Sequence, residues 1–555
     1  MTEPKKIVII GGVAGGMSAA TRLRRLDPEA SIIVIERSGF VSYANCGLPY
    51  FMGGVIQSQG ALLLQTPESL RARFDLDVRI NATATTINRD QHTIHIEDRS
   101  GNSYDLEYDF LILSPGAQPV VPPIPGIERA HTLRTVEDVT RITAAVNAQP
   151  SSAVVIGGGF IGVESAENLV HRGIVTTIVE AGAQLLAPLD AELAALVHQE
   201  MRSHGVSVEL GAQVTEVTEQ AIVLSDGRSI PAQLVIAAIG VRPDTSLAAG
   251  SGIEVGTRGG IVVNEYGQTS DARIYAIGDV AEKIDALDGN PTLVPLANIA
   301  NRQGRVVADH IMGQRIRPVT TIGTAIVKVF DLTVATTGWN EKRAKAQGLS
   351  TFIIHTHPGS HAGYYPGAEQ MALKLLVDKE SHLIVGAQAV GKDGVDKRID
   401  VLATAIRAGM AAPELADLEL AYAPPFGSAK DPVNMLGYIA ENMIAGITET
   451  AQWYDVEQLE QAGYLVVDVR TEAEFDSGAI PNALNIPLDE LRFRLDELGT
   501  RPVLVYCQVG QRGHSATVFL REEGFQAVNL DGGFQTWRAI TQDKTHATHR
   551  EESYV

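Results

Sequence analysis

Ile7-Val8-Ile9-Ile10-Gly11-Gly12-Val13-Ala14-Gly15-Gly16 is an apolar β-run that ends in a glycine-rich turn, and a helical pattern follows from Met17 to Leu26. Gly11 permits a tight turn, and Gly16 lets the helix pack closely on the strand. The helix N-terminus then offers free N–H groups to a pyrophosphate. Val13 stands where the middle glycine of such a dinucleotide loop is usual. The next strand, Ile32-Ile33-Val34-Ile35, ends in Glu36, placed to accept hydrogen bonds from a ribose. A second turn, complete in its glycines, follows Val154-Val155-Ile156: Gly157-Gly158-Gly159-Phe160-Ile161-Gly162. Its partner strand ends in Glu180, which suits a free 2′-hydroxyl and repels a 2′-phosphate. No Arg or Lys occurs in Ala181-Gly182-Ala183-Gln184, so NADH is favoured over NADPH. Two such units in one chain are far more specific than either alone.

Past the first unit lies Val41-Ser42-Tyr43-Ala44-Asn45-Cys46-Gly47-Leu48-Pro49-Tyr50, which holds one of only two cysteines. That order puts Cys46 just beyond the first crossover, within reach of the redox end of a bound dinucleotide. A lone cysteine there suggests thiol redox chemistry with a non-protein partner for the sulfur. Buried apolar cysteines are common, but the flanking Asn, Gly and Pro favour a loop. The bulk numbers agree with an ordinary globular chain of several domains: 555 residues, 45% hydrophobic, 20% charged and a net charge of −21. Such acidity argues against nucleic acid and anionic membrane as partners. Two distant cysteines imply a reducing compartment. With no signal peptide and no membrane-spanning run, a cytoplasmic location is expected.

Further along, Phe110-Leu111-Ile112-Leu113 runs into Ser114-Pro115-Gly116-Ala117, Leu234 to Gly240 repeats that strand-then-glycine exit, and Ile274 to Ile277 ends in Gly278-Asp279. With these segments on the page, residues up to about 445 resemble the pyridine nucleotide-disulfide oxidoreductases. Within them the chain is similar to the single-cysteine branch: coenzyme A-disulfide reductases, NADH oxidases and NADH peroxidases. Glutathione reductase-like members carry a second cysteine four residues away, and Cys46 has none. The resemblance implies that FAD is held by Gly11, Gly12, Val13, Ala14, Gly15, Gly16, Glu36, Arg37, Ser114, Gly116, Ala117, Gly278, Asp279, Pro295 and Ala297. It implies that NADH is held by Gly157, Gly159, Phe160, Ile161, Gly162, Glu164, Glu180 and Gly240. Ser18, Arg22, Arg25, Ser42, Asn45 and Lys430 match positions that contact coenzyme A, as substrate moiety or bound ligand; cations suit its phosphates. Read alone, Arg22, Arg24 and Arg25 would be a solvated helix face. Tyr364, in His361-Ala362-Gly363-Tyr364-Tyr365-Pro366-Gly367, and Tyr422, in Ala421-Tyr422-Ala423-Pro424-Pro425-Phe426, match positions that reach the redox cysteine across a dimer interface. A phenol there can bond or protonate a thiolate; without the resemblance both would read as aromatic packing.

The last hundred or so residues are similar to a single rhodanese domain. Leu465-Val466-Val467-Asp468-Val469-Arg470 is a strand with Asp-Val-Arg, and Val503-Leu504-Val505-Tyr506 ends at Cys507-Gln508-Val509-Gly510-Gln511-Arg512, with a helix from about Gly513. A cysteine ringed by backbone N–H groups at a helix N-terminus sits where a thiolate or persulfide anion is stabilised. The rhodanese pattern's Gly-His-Ile is Gly478-Ala479-Ile480 here, a loss at a peripheral position. A degenerate rhodanese used for docking is the competing reading, and Cys507 with Arg512 speaks against it.

The expected architecture is α/β: two Rossmann-like dinucleotide-binding domains, an α+β dimerisation domain and a C-terminal α/β rhodanese domain. The expected boundaries are FAD domain 1–149 and 276–325, NAD(P)H domain 150–275, dimerisation domain 326–446, linker 447–455 and rhodanese 456–555. The expected function is an FAD-dependent reductase that uses NADH to reduce persulfides through Cys46 and releases sulfide, while Cys507 and Arg512 handle sulfane sulfur. A homodimer acting on a small-molecule persulfide or disulfide is expected, with no metal. Coenzyme A-disulfide reduction, an NADH oxidase or peroxidase cycling Cys46 through sulfenic acid, and a non-enzymatic redox sensor remain as alternatives.

Overall fold

Alternate residues of Lys6–Ile10 feed two different cores. Ile7 and Ile9 pack with Leu23, Ala19 and Val307, while Val8 and Ile10 pack with Leu111, Ile96 and Ile274. A strand buried on both faces needs a layer on each side, which is why the run reads as continuous apolar sequence rather than alternation. Each such isoleucine contributes about 2 kcal/mol by leaving water. The computed structural model describes residues 4–552, and two compact units divide them.

The first unit runs to Ala183 and resumes from Gly205 to Thr321. It holds two five-stranded parallel sheets. One is ordered Ile274–Ala276, Phe110–Leu113, Lys6–Ile10, Ser31–Ile35, Asp77–Arg79. The other is ordered Ser207–Leu210, Val175–Glu180, Ser152–Ile156, Leu234–Ala237, His131–Thr132. In both, the strand entering the glycine turn is central, so the turn opens at the carboxyl edge where the chain order reverses. Helix Ala14–Leu26 lies along helix Ala297–Ile311. Gly304 makes the approach possible: a Cβ there would stand 2.5 Å from the Gly15 carbonyl oxygen.

The second unit comprises Gln184–His204 and the chain from Ile322 onward. A five-stranded antiparallel sheet is ordered Ala325–Val329, Leu332–Gly338, Ile384–Gly391, Met371–Asp378, Thr351–Thr356. A parallel sheet follows, ordered Thr450–Ala451, Ala527–Leu530, Val503–Tyr506, Leu465–Asp468, Leu484–Asn485. The stretch read as a linker therefore carries an edge strand. Beyond it, Trp453 Nε1 donates to Glu192 Oε2 at 3.1 Å. The helix after Cys507 begins at Gln511, two residues ahead of its expected start. Among the described residues, no helix is long and apolar enough to cross a membrane.

A buried ionic network joins these elements. The Lys374 ammonium, fully buried, meets Asp190 at 2.9 Å, Glu192 at 2.5 Å and also Glu341. His355 stands between Glu192 (Nε2, 3.0 Å) and Asp531 (Nδ1, 2.6 Å). Burial opposes a charged imidazole, but Asp531 and Glu192 outweigh it and raise the His355 pKa to about 9. Burial together with the neighbouring His355 charge pushes His357 down to about 3.

Candidate functional site

The first glycine turn holds its shape through contacts only glycine allows. A Cβ on Gly11 would lie 2.0 Å from the Ser114 carbonyl oxygen, and one on Gly16 would lie 1.9 Å from that of Gly11. Glu36, at the end of the adjacent strand, accepts from Gly12 N–H and Ser38 N–H, both at 2.8 Å. The second turn repeats the device. Glu180 accepts from Gly158 N–H and Gly182 N–H, both at 2.6 Å, and a Cβ on Gly162 would meet the Gly157 carbonyl oxygen at 1.9 Å. Gly159 differs: nothing lies within 4 Å of where its Cβ would be, so that face of the loop is open to a ligand.

One cleft in the first unit gathers Gly11, Val13, Ala14, Gly15, Glu36, Arg37, Asn45, Cys46, Ser114, Gly116, Ala117, Gly278, Asp279, Pro295 and Ala297. The sequence reading assigns Cys46 to catalysis, Asn45 to coenzyme A and the others to FAD, and their separations along the chain show that the fold, not proximity, unites them. Gly12 and Gly16 shape the turn from behind. Arg37 pairs with Asp244 at 3.0 Å. The set fits a flavin dinucleotide. Backbone N–H groups open the helix at Ala14, an acid is pinned at the ribose end, and Asp279 waits at the other end beside Cys46.

Arg134 was missed, although it lines the same cleft as Cys46 and Asp279. It donates to Asp279 Oδ2 at 2.9 Å, and the Asn45 amide turns to face its carbonyl oxygen at 2.8 Å and its Nη1 at 3.0 Å. The only signal in the sequence is its place just before the helix cap at Thr135. Cys46 itself reaches the surface of the cleft. Burial by its surroundings raises the thiol pKa, Glu164 adds to the rise, and Arg134 opposes it. Glu164 accepts from Tyr50 Oη at 3.1 Å, and burial raises its own pKa to about 7.

The residues matched to coenzyme A contacts are dispersed. Arg22 is bound to Asp309 at 2.7 Å, Ser18 donates to Asn301 at 2.8 Å, and Arg25 stacks over Phe74 at 5.3 Å. Ser42 takes a positive φ of 48°, and its N–H donates to the Gly12 carbonyl at 2.8 Å. Gly240 also takes positive φ and bonds Val120 N–H through its carbonyl. Tyr364, Tyr422 and Lys430 belong to the second unit. There the two phenols, 76% and 47% exposed, bond one another at 2.9 Å, and the Lys430 ammonium sits 5.9 Å from the Tyr438 ring centre.

Cys507 closes the strand Val503–Tyr506 and is fully buried. Gly510 N–H donates to its Sγ at 3.1 Å. Gly533, at φ 61°, lies so close beneath that a Cβ would stand 2.4 Å from the Cys507 carbonyl oxygen and 2.9 Å from the Gly510 nitrogen. Arg470 clamps Asp468, and Arg512 forks onto Glu474.

Comparison with known proteins agrees with this geometry. The pyridine nucleotide-disulphide oxidoreductase model matches residues 5–304, its dimerisation domain 324–432, and a rhodanese-like domain 450–540. This chain belongs to the pyridine nucleotide-disulphide oxidoreductases. Members of this family are FAD- and NAD(H)-dependent oxidoreductases, and this one carries a rhodanese-like domain. A coenzyme A disulfide reductase of Staphylococcus haemolyticus is 33% identical over 445 residues, 79% of this chain and all of that one. The reduced CoADR-RHD of Bacillus anthracis is 48% identical with a TM-score of 0.96, covering 97% of this chain and 99% of that one. An NAD-dependent persulfide reductase from A. fulgidus is 38% identical with a TM-score of 0.91, covering 96% and 100%.

Proposed function

We propose that this chain is an NADH-dependent persulfide reductase in which Cys46 is the reacting sulfur and Cys507 carries sulfane sulfur to it. The observation that carries the reading is the pairing itself. An unpartnered cysteine in a flavin-type cleft shares one chain with a second cysteine in a sulfur-transfer cradle. A disulfide substrate would need no sulfur carrier. The likeness to the A. fulgidus persulfide reductase, which spans the rhodanese domain as well, supports the same reading.

In this reading Gly157 to Gly162 hold the nicotinamide dinucleotide, and Glu180 favours NADH over NADPH. Gly11 to Gly16, Glu36 and Asp279 hold FAD, which when bound supplies two-electron exchange between nicotinamide and sulfur. The Cys46 thiolate attacks the persulfide, because the thiol is a poor nucleophile. Overall, R–S–SH and NADH give R–SH, HS⁻ and NAD⁺: the S–S bond breaks and hydride supplies the electron pair. Arg134 favours the thiolate, while Glu164, which accepts a hydrogen bond from Tyr50 Oη, resists it. Ser42 and Asn45 contact the coenzyme A moiety. Ser18, Arg22, Arg25 and Lys430 are further coenzyme A contacts in this reading, the cations suiting its phosphates, and Tyr364 and Tyr422 serve Cys46 across a homodimer interface. Coenzyme A disulfide is the second reading, favoured by the Staphylococcus relative's activity.

Anaerobic NADH oxidation by the flavin-loaded protein tests this. Coenzyme A persulfide is expected to outpace coenzyme A disulfide, peroxide and oxygen, with one sulfide released per NADH. Faster turnover of the disulfide than of any persulfide would overturn it.

A further inference from the structure

Arg470 and Arg512, the two arginines bonded around the Cys507 loop, are each paired with a carboxylate of the domain. Arg470 is 1% exposed; Asp468 takes three of its hydrogen bonds, the Gly478 carbonyl one at 2.7 Å and Gln508 another at 3.1 Å. Arg512, on the first turn of the helix after the loop, has the Cys507 sulfur in its electrostatic field. Its two terminal nitrogens fork onto Glu474, Nη1 to Oε2 at 2.8 Å and Nη2 to Oε1 at 2.6 Å. Isolated exposed ion pairs are weak and easily exchanged, but Glu474 is held from behind. Its Oε2 also accepts from Thr471 N–H and Thr471 Oγ1, both at 3.1 Å, as the third residue of a capped helix. Swinging Glu474 away to free Arg512 would break that capping box as well as the fork. The Arg512 hydrogen bonds lower the Glu474 pKa to about 2, so the carboxylate stays charged at any working pH.

Phe534 and Trp537 stack with ring centres 5.9 Å apart, and Arg470 and Arg538 lie over Phe534 at 4.3 and 5.5 Å. Phe534 N–H bonds the Cys507 carbonyl at 2.8 Å, so the ledge adjoins the sulfur loop. An aromatic ledge suits an organic carrier better than a bare oxyanion.

We propose that Glu474 is a specificity-determining residue of the Cys507 site: by cancelling the Arg512 charge it selects thiol-bound sulfane sulfur over small inorganic polyanions such as thiosulfate. This rests on the reading of Cys507 as a sulfur carrier. With a persulfide donor, Cys507–S⁻ attacks the outer sulfur of R–S–SH, the donor S–S bond breaks, and the electron pair leaves on R–S⁻ as Cys507–S–SH forms. With thiosulfate, Cys507–S⁻ and S–SO₃²⁻ give Cys507–S–S⁻ and SO₃²⁻. Neither step changes the total oxidation level. The first gathers one negative charge at the transition state; the second gathers three, and needs an uncancelled cation.

The test uses the full-length flavin-loaded protein, wild type and the E474Q, E474A and E474D variants. Thiocyanate formation from thiosulfate and cyanide is compared with Cys507 persulfidation by 2-mercaptoethanol persulfide, read by mass spectrometry. In E474Q and E474A, thiosulfate kcat/KM is expected to rise at least about tenfold, mainly through KM, and to fall steeply with added salt. Persulfide transfer is expected to stay within about threefold, and E474D to keep the low thiosulfate rate. Wild type that forms no Cys507 persulfide from either donor would sink the carrier reading and this proposal with it. A wild type that uses both donors equally would overturn the role of Glu474 alone. So would unchanged thiosulfate rates in E474Q and E474A while persulfide transfer stays intact.

Discussion

The two cysteines sit in opposite surroundings. Cys46 lies at the surface of a cleft, on a short turn, with an arginine and two carboxylates in its field. Cys507 is buried at the carboxyl end of a central parallel strand, and a backbone N–H points at its sulfur. A sulfur that exchanges electrons with a flavin must be tunable by nearby charges and open to two partners. A sulfur that only carries sulfur needs a rigid cradle that stabilises an anion and excludes water. The difference teaches that the Cys46 thiol is set by burial and the charges around it, while the Cys507 sulfur is in addition held by a backbone donor, and each prediction below attacks one side of it.

The largest effect is expected from Gly533→Val. The new side chain would press on the Cys507 carbonyl and the Gly510 nitrogen from a left-handed backbone position. Cys507 persulfidation should fall at least about a hundredfold. NADH turnover on a small free persulfide should stay within twofold. Equal losses in both assays would mean the two sites are not separable.

His355→Ala comes next, and it tests what holds the cradle. The change strips Asp531 and Glu192 of a shared buried partner, which costs about 3 kcal/mol. Differential scanning calorimetry should show a weakened transition for the C-terminal part. The wild-type protein carries a matching pH signature. The His355 pKa is raised from 6.5 to about 9 on folding. Its stabilisation is therefore complete below about 6.5 and lost as pH rises through 9. The melting temperature should decline across that window, and the decline should flatten in the variant.

These partners also mark the limit of what sequence reveals. The glycine turns with Glu36 and Glu180 were legible because a backbone that must bend and pack closely tolerates only glycine at Gly11, Gly16 and Gly162. The Cys507 loop was legible because a strand ends in a cysteine just ahead of a helix, in a pattern that resembles a rhodanese domain. The His355–Asp531 and Lys374–Glu192 pairs were not, since their members lie 176 and 182 residues apart and carry no local pattern. Arg134 was hidden likewise, meeting Asp279 across 145 residues. Arg22 was visible as a cation, but its choice of Asp309 over open solvent is decided by tertiary packing.

The smallest effect concerns charge near Cys46. Glu164 opposes the thiolate, and its carboxyl titrates at about 7. In Glu164→Gln, the midpoint of Cys46 alkylation against pH should move down by about one unit at most. The Cys507 persulfidation rate should not change. An upward shift at Cys46 would remove Glu164 from its electrostatics.

Sulfide release driven by NADH from a small free persulfide, compared between Cys46→Ser and Cys507→Ser, is the most direct measurement. The account predicts a loss of at least a thousandfold in Cys46→Ser, about 4 kcal/mol or more of transition-state stabilisation, and a change under threefold in Cys507→Ser. Sulfide release that persists in Cys46→Ser and vanishes in Cys507→Ser would contradict it.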